Sequence, residues 1–71
     1  MSKLQLNQFR DGERVRYIGE QGVQDGLLLA HGMRGQVLRR SKEDDCHGIP
    51  SYLVIFGGRT AWVCADLLRR E

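Results

Sequence analysis

The segment Tyr52-Leu53-Val54-Ile55-Phe56 constrains this chain more than any other. It is an unbroken run of aromatic, β-branched and leucine side chains, which reads as a strand apolar on both faces, and such a strand needs cover on both. Gly57-Gly58 follows at once. Consecutive glycines accept positive φ cheaply, so the pair predicts a primed hairpin turn or a bulge. Thr60 to Cys64 is then the returning strand, with Ala61 and Val63 on one face and Trp62 and Cys64 on the other.

A chain of 71 residues holds one domain, and a domain of that length buries only about 60% of its unfolded surface. One core is all it can build. A large internal substrate pocket would remove core it cannot spare, so an enzyme of this size would assemble its site between subunits. Hydrophobic residues at 41% and charged residues at 28% exclude collagen-like and low-complexity chains. No apolar run approaches the roughly 20 residues of a membrane span. Met1 to Gln8 has no apolar signal core. The expectation is a cytoplasmic protein with no membrane partner, and with Cys46 and Cys64 as free thiols, one disulfide being the alternative.

Upstream, Asp11-Gly12 signals a turn, and Glu13 to Gly19 alternates with period two. Val15 and Tyr17 face the core; Arg14 and Arg16 face water. Residues 20–32 read as a long connecting loop whose leucines plug one end of the core, with a short helix over 25–31 as the competing reading. Gly35 to Arg40 is a strand with Val37 inward and Gln36, Leu38 and Arg40 outward. Residues 41–50 form a polar, acidic loop. Asp66-Leu67-Leu68 is a one-turn helix before a final strand. Residues 1–9 are a loose arm, with Leu4, Leu6 or Phe9 tucked against a domain spanning 10–71.

Short strands, a long first loop, a glycine hairpin and a late helical turn predict an all-β fold: a small closed barrel of about five strands, since closure removes exposed sheet edges. The residues Gly12-Glu13-Arg14-Val15-Arg16, Arg34-Gly35-Gln36-Val37, Tyr52 to Phe56, Trp62-Val63 and Asp66-Leu67-Leu68 resemble the SH3-like small-barrel class. The resemblance spans residues 12–68. Within that class the chain looks similar to accessory subunits such as the variable chain of ferredoxin–thioredoxin reductase, which implies docking or stabilisation. It also looks similar to KOW-type barrels, which implies RNA or ribosomal and transcription partners. The plasmid-encoded small-barrel dihydrofolate reductase, a tetramer with a shared pore, is the third. Its Val-Gln-Ile-Tyr motif is absent, and Thr60-Ala61-Trp62-Val63 stands near the corresponding strand. Fold likeness does not by itself transfer function.

No constellation of the sequence carries chemistry. Cys46, His47, Cys64 and His31 lack the close ligand pairs of a zinc site. Glu43-Asp44-Asp45, three consecutive side chains of an extended loop, do not converge on a cation. Cys46 and His47 are adjacent and point apart, which does not suit a nucleophile and its base. The glycines form no phosphate loop. No enzymatic activity and no cofactor are expected.

Binding remains. The first expectation is a protein partner, met by an adaptor, regulator or accessory subunit through Trp62, Tyr52, Arg59 and the loop 20–33, since Trp and Arg dominate interface hot spots. The alternative is nucleic acid, held by a stripe of Arg14, Arg16, Arg39 and Arg40 with aromatic side chains available for stacking. Residues 1–40 carry seven basic and four acidic side chains, and residues 41–71 carry four and five, so the positive charge lies in the first part. An oligomeric enzyme with an inter-subunit site is the third class. The two-faced strand also raises self-association.

Overall fold

The computed structural model describes residues 8–41 and 48–71. They form strands β1 (Arg14–Tyr17), β2 (Gly22–Gln24), β3 (Leu27–Leu29), β4 (Arg34–Arg40), β5 (Ser51–Phe56), β6 (Arg59–Cys64) and β7 (Leu68–Arg70). A single 3₁₀ turn, Ala65–Leu67, precedes β7. The all-β expectation and the late helical turn hold. Two details differ. There are seven strands rather than about five, and they do not close into a barrel. Five make an antiparallel sheet in the order β6-β5-β4-β1-β7, and β2 and β3 form a separate two-stranded ribbon.

The ribbon replaces the predicted long loop and its competing helix. Asp25 (φ 53°) and Gly26 (φ 77°) both occupy the left-handed region, the requirement of a primed two-residue hairpin turn. Asp-Gly is a favoured pair for that turn, so the signal was present in the sequence. The neighbouring glycines and the run of leucines obscured it. Leu29 of the ribbon lies in the core at 1% exposure, and half-buried Leu27 packs against it.

The ribbon also explains how an unclosed sheet is tolerated. An edge strand leaves unpaired N–H and C=O groups that invite aggregation. Here the ribbon packs beside the edge strand β6, and the Trp62 N–H donates to the Asp25 carboxylate at 2.7 Å. A side chain supplies the acceptor that a further strand would have provided.

Period two sorts the strands as expected. Val15 and Tyr17 of β1, Val37 of β4, Val54 and Phe56 of β5, and Ala61 and Val63 of β6 all point inward and are buried. The β5–β6 hairpin turns on Gly57 (φ 59°) and Gly58 (φ 91°), again the primed form. Gly35 is needed for a different reason. A Cβ there would lie 2.6 Å from Val54 Cγ1 and 2.9 Å from the Ile55 carbonyl oxygen, so only glycine lets β4 approach β5 over the core. Phe9 belongs to the core as well. Its ring meets Tyr52 edge-on at 5.3 Å, and its N–H donates to the Tyr52 hydroxyl at 3.1 Å.

The outward side of β4 differs from the sequence expectation. The register runs Gln36 to Ile55, Val37 to Val54, then Arg39 to Leu53, with a bulge between Val37 and Arg39. The extra residue, Leu38, inverts the alternation. Arg39 therefore joins the face of Gln36, while Arg40, opposite buried Tyr52, falls on the other side.

Cys64 is disulfide-bonded rather than a free thiol, which corrects the expectation for that residue. Cys46, His47 and the acidic triplet Glu43-Asp44-Asp45 lie outside the described residues. No helix among the described residues is long and apolar enough to cross a membrane.

Candidate binding surface

The core takes one face of the five-stranded sheet, and the other is left to solvent or a partner. Its residues follow from register. Arg16 of β1 lies opposite Arg69 of β7 on one side and Arg34 of β4 on the other. Three arginines thus stand in one row across three strands, with roots about 4.8 Å apart. Arg14 stands opposite Gln36, which stands opposite Ile55. Further along, Arg39 lies opposite Leu53, which lies opposite Trp62. The Arg39 guanidinium sits 5.6 Å from the Trp62 ring centroid, within reach of a cation–π contact.

Five arginines, Arg14, Arg16, Arg34, Arg39 and Arg69, therefore share this face with the Glu71 carboxylate. Like charges so closely set repel unless an anion lies among them. Glu71 supplies one. Its N–H donates to the Arg14 carbonyl at 3.1 Å, which carries the β7 pairing onward and directs the side chain to the arginine face. Glu71 Oε2 lies 2.9 Å from Arg34 Nε but 4.0 Å from Arg16 Nη2. Arg34 is well matched and Arg16 is not. Arg16 Nε is buried and has no hydrogen-bond acceptor. A recess of about 320 Å³ opens here, lined by Arg14, Arg34, Gln36, Ile55 and Glu71 with the β5–β6 turn.

A larger recess, about 500 Å³, lies at the mouth of the core between Arg10, Asp11, Gly12, Glu13 and Arg70. Of its two arginines, Arg70 is already committed. Arg70 pairs with Glu13, donates to the Gln8 carbonyl at 2.6 Å and lies 5.4 Å from the Phe9 ring centroid.

Of the residues chosen from sequence for a protein partner, Trp62 is half-buried on the outer face. Tyr52 is 1% exposed and presents no surface. Arg59 is exposed at the hairpin end, opposite Phe56, and alternation separates it from Trp62. The aromatic–arginine pair is formed by Arg39 instead. Of the residues chosen for nucleic acid, Arg14, Arg16 and Arg39 share the face and Arg40 does not. The sequence reading missed Arg34 and Arg69. Both flank recognised strand residues, but only the pairing order β4-β1-β7 shows that they extend the row.

Among the described residues no group of three or more His, Cys, Asp or Glu side chains is placed to hold a metal ion. The exposed large apolar side chains are Val23, Leu28 and Leu38. Val23 and Leu28 are cross-strand partners on the ribbon. No family model, curated protein or solved structure matches the chain.

Proposed function

We propose that this chain is a non-enzymatic nucleic-acid-binding module that works through the outer face of its five-stranded sheet. The observation that carries the reading is the row Arg69–Arg16–Arg34, joined on the same face by Arg14 and Arg39. Among the described residues, five guanidinium groups against the Glu71 carboxylate concentrate positive charge on one face of a chain whose formal net charge is only +2. Guanidinium forks match phosphate oxygens in bidentate fashion. The sheet presents them as a backbone-tracking patch, and Trp62 with Arg39 at its far side offers a surface on which a base can stack. Such contacts give affinity with little sequence preference. The test is titration of the purified chain with a short single-stranded oligonucleotide at several salt concentrations. Binding that weakens linearly in log salt, with a slope that falls by about 0.7 per arginine removed, supports the reading. Absence of binding at low salt, where such contacts are strongest, ends it.

A second reading, a protein-binding accessory or adaptor subunit, rests on a different observation. The ribbon tied to Trp62 through Asp25 carries the exposed Val23–Leu28 pair, and Trp62 with Arg39 is a pairing of the residue types that dominate protein interfaces. Substituting Val23 and Leu28 separates the two readings: it abolishes capture of a protein partner and leaves oligonucleotide binding intact.

A further inference from the structure

We infer that Arg16 and Arg34 form a phosphate-binding subsite, and that Glu71 is its internal occupant, displaced when a backbone phosphate enters. The inference rests on the nucleic-acid reading and goes beyond it by naming a subsite and its competitor. Three observations meet at this point. Arg16 and Arg34 are in register on adjacent strands, so their side chains rise side by side. The Glu71 carboxylate lies between them yet satisfies only one, at 2.9 Å from Arg34 and 4.0 Å from Arg16. Arg16 Nε is left as a buried donor without an acceptor, an unfavourable state for a charged group.

The mismatch is geometric. The same carboxylate oxygen, Glu71 Oε2, faces both guanidinium groups, and at 2.9 Å from Arg34 it stays 4.0 Å from Arg16. A phosphate diester offers non-bridging oxygens that diverge tetrahedrally. One can meet Arg34 while the other meets Arg16 after its guanidinium turns outward about its terminal torsion. The Arg16 and Arg34 side chains are 43% and 70% exposed, so an anion approaching from solvent reaches them, and the adjoining recess leaves it room. Glu71 then acts as a placeholder. It neutralises the pair when the surface is empty and selects for anions that hold both arginines better than it does.

The test uses the full chain and a short single-stranded DNA oligonucleotide as probe. Glu71→Gln is expected to tighten binding by about two- to fivefold, the scale of one released surface ion pair. In an Arg34→Ala background the same change is expected to leave affinity unaltered. Thermal unfolding of each variant establishes that it is folded. An unaltered affinity for Glu71→Gln, while the parent chain binds, overturns this inference and leaves the nucleic-acid reading standing. Equal tightening with and without Arg34 also overturns it, because Glu71 would then act as a general negative charge. If no variant binds at low salt, both fall. A second readout is the Nε–H resonance of each arginine during addition of inorganic phosphate: Arg16 and Arg34 move first if the subsite exists, and a uniform shift of all arginines refutes it.

Discussion

Arg69 and Arg70 are neighbours in the chain and identical in chemistry, yet β7 sends them to opposite sides of the sheet. Arg69 joins the row with Arg16 and Arg34 on the outer face. Arg70 turns to the mouth of the core, where Glu13, the Gln8 carbonyl and the Phe9 ring surround it. One arginine holds the N-terminal segment against the domain; the other stands exposed on the outer face. Fixed protein acceptors mark a structural arginine, and their scarcity marks an available one. On the outer face, among the described residues, the Glu71 carboxylate is shared between Arg34 and Arg16, and that shortage of acceptors is what the proposed binding reading rests on.

The contrast between the two sides can be broken at several strengths. Phe56→Ala removes a core ring at 3% exposure and should cost about 3–5 kcal/mol, enough to unfold much of a domain this small. Chemical denaturation reads it, and a fully cooperative variant of parental stability would show that the inner side is not the core. Gly35→Ala should cost about 1–3 kcal/mol through overpacking against Val54 and the Ile55 carbonyl, with no effect on oligonucleotide affinity beyond that of the unfolded fraction. Arg70→Ala should lower stability by about 1–2 kcal/mol, since a charged hydrogen bond and a ring contact are lost together, and leave the salt slope of binding untouched. Arg69→Ala is the mirror case: stability stays within about 0.5 kcal/mol while the slope drops. If the two arginine variants behave alike in both assays, the division between the faces is wrong.

The smallest effect concerns the cover of the sheet edge. Asp25→Gly keeps a residue that tolerates positive φ and deletes the acceptor of the Trp62 N–H. A loss of about 0.5–1.5 kcal/mol is expected, with faster hydrogen exchange at the Trp62 amide. Unchanged exchange there would mean that the ribbon does not protect β6.

Much of the strand pattern was legible because burial has a period. Val15 and Tyr17, or Ala61 and Val63, alternate with polar or half-buried neighbours, and that alternation survives without knowing what each strand pairs with. The candidate surface was less legible. Arg14 and Arg16 announce themselves by sharing a parity on one strand, but the row they belong to is made by strands far apart in sequence. Tyr52 lies on a strand that is apolar on both faces, so alternation alone did not say which face was inward; in the structure it shares the buried side with Val54 and Phe56 and meets Phe9, 43 positions away.

The amino-acid sequence by itself determined the class of fold, the hairpin at Gly57-Gly58, the late helical turn and the inward residues, because local backbone freedom and two-residue periodicity are properties of a few neighbouring positions. Tertiary structure alone decided that the sheet stays open with a ribbon over its edge, that one bulge at Leu38 carries Arg39 over Trp62, and that Arg16, Arg34 and Arg69 stand together around Glu71. Register between distant strands sets those outcomes, and a one-residue shift in the pairing of any one of these strands would send that strand's side chains to the opposite face.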